Sequence, residues 1–412
     1  MDTQPSDSRL AASQEFSVWK AEASVVQFGP NWVPPQDITN EFEKLSTISL
    51  PKELSGFKLD ATRHSEKFMN FVRELQNWYK DQGGPELTKV DTNRMMSRLP
   101  LLFSVFTDIR YHWESGECDN ATMQSVDALL QLVFDDVHYT EYKIGHTFRL
   151  RQSEHSSVLH SQADRLMVIQ CPQLSCTLIQ QAKSDRSSPK DVLEEASWED
   201  TGSFRSVIAL PMEFRRRGEL VSVHLNQLVL DLVTAQSQHR ALGLQTRPLF
   251  GLYQHDGALR VLSASWINGV IHIYHHKTYF IATQRDFIAA FCFLCNVREY
   301  VDELRAELDN LDVDNALQSL RAHPWRAHVT IRQVVDAVIE EIEDEYEDDG
   351  SSAELDSPLS LVVRRTEKKN AGLQALQPGQ PPGLVVTLKA WVKSVILFYL
   401  GVLVCMIKER LG

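Results

Sequence analysis

Apolar residues along this chain recur with two different periods. Between 62 and 80, Phe68, Phe71, Val72, Leu75, Trp78 and Tyr79 fall three and four apart, which predicts an amphipathic helix closed by Gly83-Gly84-Pro85. The same period predicts helices over 92–113, broken near Pro100, and over 122–138, where Met123, Val126, Leu129, Leu130, Val133, Phe134 and Val137 repeat. Together these predict a helical layer across 61–140. Beyond it the pattern shortens. Strands are predicted over 142–150, 163–169 and 176–183, the last two joined as a hairpin across Pro172 and Gln173. A helix over 220–240, a strand over 248–253, a turn at His255-Asp256-Gly257 and a strand over 259–262 follow. Alternation over 268–281 predicts a strand pair, and 286–308 a long helix. The predicted fold is α/β: a mixed central sheet flanked by helices over 141–330, beneath the helical layer.

The flanks read differently. Residues 1–60 carry isolated aromatics (Phe16, Trp19, Phe28, Trp32) among Pro, Ser and Thr, which predicts an extended arm lying partly on the body. Residues 331–349 predict an acidic helix, and 350–383, ending Gln377-Pro378-Gly379-Gln380-Pro381-Pro382-Gly383, a flexible linker. Residues 384–412 are apolar on all sides. The uncharged stretch 394–407 is short of the roughly 17–25 residues that cross a bilayer, but counting from 388 it suffices if Lys389 and Lys393 reach back to the headgroups. A membrane anchor through 388–407 and a helix docked on the body both remain open.

Charge narrows the function classes. The net charge of −13 argues against a uniformly basic nucleic-acid binder. Residues 141–335 nevertheless hold 21 basic and 21 acidic side chains, and the excess is concentrated elsewhere, nine acids in 336–349 among them. Six cysteines (118, 171, 176, 292, 295, 405) lie among apolar neighbours, and residues 1–15 have no apolar core of a secretory leader, so an intracellular protein with reduced thiols is expected. No Gly-rich phosphate loop, Gly-x-Ser-x-Gly elbow or His-Glu-x-x-His is present.

Chemistry is suggested by Asp164, at the head of 163–169, and by Gln181 and Lys183, near the end of 176–183. In an antiparallel hairpin those ends adjoin, and 181 and 183 share a face. An acid, a second oxygen donor and an ammonium at one sheet end suit a divalent cation and a phosphate. With its α-β-β-β-α-β order, this segment resembles the PD-(D/E)XK restriction-endonuclease-like core in the divergent versions of fungal and Crinkler-type proteins, over roughly 150 residues, one domain's worth. The resemblance implies metal-dependent phosphodiester cleavage. Asp164 matches the first metal ligand, Gln181 stands where a second acidic ligand is usual, Lys183 matches the lysine that positions water and offsets phosphate charge, and Gln227 resembles the glutamine of the following helix. It also implies Mg2+ as cofactor and nucleic acid as partner at the core. A neutral amide at Gln181 holds Mg2+ weakly, so a weak or inactive nuclease-like protein is expected. Asp135 and Asp136 are candidates for a further carboxylate from the preceding helix. The alternative, from another class, is a non-catalytic interaction protein tethered to a membrane through its C-terminal helix, its protein partner unspecified.

Other clusters are read as structural. Arg215-Arg216-Arg217 is a basic loop near the core, Cys292 and Cys295 sit within an apolar helix, and His272, His275 and His276 crowd one strand without a nearby carboxylate pattern.

Overall fold

Among the described residues a seven-stranded sheet organises the fold, and its order explains which side chains meet. The computed structural model describes residues 11, 15–81, 92–116, 119–135, 137–151, 160–184, 188–199, 204–214, 220–244 and 247–323, within a compact unit of residues 1–332. In chain order the elements are α1 (Glu15–Glu22), β1 (Val25–Gln27), α2 (Gln36–Ser46), a 3-10 turn (Lys52–Gly56), α3 (Glu66–Asp81), α4 (Thr92–Ser115), α5 (Asp119–Phe134), β2 (Thr140–Arg149) and β3 (His160–Gln170). Then come α6 (Pro172–Ser184), α7 (Pro189–Ala196), β4 (Ser206–Phe214), α8 (Val221–Ala241), β5 (Leu249–His255), β6 (Ala258–Ile267), β7 (Val270–Phe280), α9 (Gln284–Asp309) and α10 (Val313–Ala322).

The strands lie in the order β1-β7-β6-β5-β4-β3-β2, parallel at β1–β7 and β4–β5 and antiparallel elsewhere. The α/β class with a mixed sheet between helices is therefore observed. Parallel neighbours need a crossover, and α8 supplies it between β4 and β5. From Gln227 onward nearly every α8 residue is buried, so its polar side chains must be satisfied internally. Gln238 does this for three partners: its Nε2 donates to Ala196 O and Ser206 O, both at 3.0 Å, while its Oε1 accepts Ile208 N–H at 3.1 Å. Gln236 donates to Arg247 O and Ala264 O. These amides tie α8 to the strand ends on either side of it.

The N-terminal helices form a layer sealed by aromatic rings. Phe68 and Phe71 of α3 both meet Phe103 of α4, with centroids 5.4 Å apart, and Phe106 reaches Phe287 of α9 at the same distance. α4 runs unbroken through Pro100, whose ring lies on the solvent side, so the expected break is absent. Residues 1–60 are also more ordered than an extended arm. α1 buries Phe16 and Trp19, α2 buries Ile38 and Leu45, and β1 forms the sheet edge against β7.

Two strand predictions need correction. Residues 268–281 form one strand, β7, turned from β6 at Asn268 and Gly269, both with positive φ. The segment 176–183 belongs to helix α6. Its buried residues Leu174, Leu178 and Ala182 are four apart, and Pro172 occupies the first helical position, where a missing N–H costs nothing. The third strand of the core is β4, fully buried along its length although Pro211 lies within it. Among the described residues no helix is long and apolar enough to cross a membrane. The expectations for 331–349, 350–383 and 384–412, the anchor at 388–407 included, lie outside the described residues, as do Asp136 and Arg215-Arg216-Arg217.

Candidate metal centre

β3 and β4 run antiparallel, and their last paired position sets Arg165 opposite Met212. One step further, Asp164 faces Glu213. Each carboxylate accepts from the backbone of the other's strand: Asp164 N–H donates to Glu213 Oε1 at 2.9 Å, and Phe214 N–H donates to Asp164 Oδ2 at 2.9 Å. These two backbone bonds fix both groups where the ladder ends.

α8 lays a polar stripe over this strand end. His224, Gln227 and Asp231 are spaced i, i+3 and i+7, so they share one helix face. Gln227 Nε2 donates to Ser161 Oγ, to Gln162 O at 3.1 Å, and to Asp231 Oδ1 at 3.3 Å. The amide thus locks α8 to the start of β3. One carboxylate oxygen of Asp164, one of Glu213 and one imidazole nitrogen of His224 lie within 4.8 Å of one another. Asp164 and His224 are half-buried, and Glu213 is enclosed.

The electrostatics are those of acids crowded out of water. Burial raises Glu213 far above the usual carboxylate range, and Asp231 and Asp164 raise it further. Asp231, with no exposed surface, is pushed up to about 8, chiefly by burial. The two acids are electrostatically coupled, so neither ionises without raising the cost of ionising the other. Asp231 Oδ2 is buried with no hydrogen-bond partner among the described residues. Two carboxylates and an imidazole within ligand reach of a common point, backed by a buried acid, make a donor set that fits a divalent cation.

A second network braces the strand from its other side. Arg165 grips Asp127 of α5 through Nε (3.1 Å) and Nη2 (2.9 Å), while its Nη1 donates to Asp164 O at 2.7 Å. Tyr142 O–H donates to the same Asp127 at 2.7 Å, and the guanidinium lies over the Phe214 ring. The backbone at Asp164 is therefore held by a planar fork whose geometry lysine cannot reproduce.

Of the residues singled out from the sequence, the structure brings Asp164 and Gln227 together and places Gln181 and Lys183 elsewhere. Both lie on α6, which follows the far end of β3. That end is six residues past Asp164, about 20 Å along an extended strand. Lys183 is exposed and Gln181 half-buried, and α6 packs on α7 and α10. Asp135 pairs with Arg98 at 2.8 Å on an exposed surface. Cys292 is buried, its thiol raised to about 11 by burial, and donates to Ser49 O. His276 stacks on Phe42 and bonds Ser263 Oγ, and His272 bonds Tyr274 O–H. Both are packing histidines.

Glu213, His224 and Asp231 were missed by sequence reasoning. Their signal was nonetheless present: Glu213 is the one charged residue in 206–214, and Asp231 the one acid in 220–241. A lone acid in an apolar element demands a buried partner. No protein-family model matches the chain, and no curated protein matches it.

Proposed function

We propose that this protein is a nuclease-like enzyme of the PD-(D/E)XK type, cleaving phosphodiesters with a divalent cation at Asp164, Glu213 and His224. The observation that carries the reading is the mutual 4.8 Å spacing of those three ligand atoms at the end of β3 and β4. Glu213 takes the role that the sequence pattern had given to Gln181, and it restores the missing formal charge. The acid-x-base spacing then reads Glu213-Phe214-Arg215, with the base beyond the described residues. The topology supports the same reading: α5, β2, β3, β4, α8 and β5 keep the α-β-β-β-α-β order, with α6 and α7 inserted before the third strand.

A bound cation would neutralise charge on the phosphate and acidify a water. The protein's own residues do the rest. Asp164 and His224 are half-buried and so reachable from solvent, whereas Glu213 is enclosed. Gln227 and Arg165 keep Asp164 from moving. Glu213 must lose its proton before it can act as a ligand, and a bound cation would favour that loss.

The test is cleavage of labelled single- and double-stranded DNA and of RNA by the purified full chain, with Mg2+ and with Mn2+. D164N and E213Q are expected to abolish cutting, whereas Q181A and K183A leave it unchanged. Loss of cutting in K183A with E213Q still active would return the chemistry to α6 and overturn the assignment.

A further inference from the structure

We infer that the centre is built for a first-row transition ion of the manganese(II) class rather than for magnesium, and that His224 makes the choice. The inference rests on the metal-centre reading above. Magnesium takes oxygen donors in a near-ideal octahedron and gives up its water reluctantly, while imidazole nitrogen favours first-row transition ions. Had the site been made for magnesium, a carboxylate or an open position for water would serve at this corner. The structure instead holds an imidazole there.

His224 is not a stray surface side chain that happens to lie nearby. It lies one turn into α8, on the stripe that carries Gln227 and Asp231. Gln227 is bonded to β3 at two points, and Asp231 is enclosed beside Glu213, so the register of α8 over β3 and β4 is locked. That lock fixes the His224 Cα relative to both carboxylates. An imidazole on a locked backbone has few rotamers to lose on ligation, which favours a nitrogen–metal bond. Asp231, the last member of the stripe, is itself fully buried, which leaves α8 no room to slide.

The experiment is metal binding to the full chain, read without reference to cleavage. Mn2+ is titrated by electron paramagnetic resonance and Mg2+ by calorimetry, for wild type, D164A, H224A and H224D. Pulsed resonance of the Mn2+ complex then detects nitrogen coupled to the metal. Wild type is expected to bind Mn2+ at least about 100-fold more tightly than Mg2+ and to show one imidazole nitrogen. H224A is expected to lose the nitrogen signal and about 10-fold or more in Mn2+ affinity, with Mg2+ changed by less than about 3-fold. H224D keeps a ligand at that position and is expected to bind Mg2+ more tightly than wild type does, which separates a ligand role from a folding defect. If Mn2+ binds without a nitrogen signal, or H224A weakens both ions equally, the inference falls while the metal centre stands. If neither ion binds, or D164A binds both as wild type does, the metal centre falls and the inference with it.

Discussion

Replacing Asp231 by asparagine gives the sharpest physical test of the acid cluster. In the folded protein the Asp231 carboxyl is raised to about 8, whereas in an unfolded chain it titrates at about 3.9. The fold therefore binds the proton more tightly than the unfolded chain does. Stability from this group is complete below about pH 4 and is lost as pH rises through about 8. Between those limits one extra proton on the native state gives a slope of about 1.4 kcal/mol per pH unit. From pH 5.5 to 7.5 the metal-free wild type should thus lose on the order of a few kcal/mol that D231N, unable to ionise, does not lose. The asparagine side chain is nearly isosteric and its oxygen can still accept from Gln227, so its packing cost is small. The assay is urea unfolding of both proteins in a chelator at half-unit steps from pH 5.5 to 8.5. The difference between their stabilities should grow with pH in favour of D231N. Two parallel curves would show that Asp231 ionises in the fold as it does in water, and the argument from burial would be refuted.

Two further predictions concern the frame of the site. D127N leaves the buried guanidinium of Arg165 without its counter-charge and should cost about 3–5 kcal/mol in urea unfolding. R165M on that background should recover part of the loss in a double-mutant cycle, and a neutral D127N would mean that the pair contributes nothing. G257A should destabilise by about 1–2 kcal/mol, because φ is +71° there and a Cβ would meet Trp113 Cδ1 at 2.9 Å. Adding W113A removes the collision but leaves the φ strain, so rescue in thermal melts should be partial, and complete rescue would exclude the backbone argument.

How far the fold could be read depended on how redundant each signal was. α3 was legible because its apolar residues repeat one period, and α8 and α9 because each is a long run without Gly or Pro. The β5–β6 turn was legible because Asp256 and Gly257 both need positive φ, which few residues tolerate. α6 was misread: thirteen residues with mixed spacing suit either period, and Pro172 marks a helix start as readily as a turn. β4 was passed over because Pro211 argues against a central strand and Glu213 against a buried one. The site followed the same division. Asp164 and Gln227 were found, but their acidic partner sat on the strand that local rules reject. Only tertiary burial, which raises the carboxyl until it is neutral, makes such a strand acceptable.

The pairing of β1 with β7 joins Val25 to Ile271 across almost the whole sheet-forming sequence. During synthesis the sheet therefore cannot close until about 250 further residues have been made, a long-range contact of the kind that slows folding. Once β7 has formed, its edge stays open to any extended chain, including another copy, until β1 docks. A ribosome-bound intermediate of this protein would be stickiest just before its earliest-made strand docks on its last.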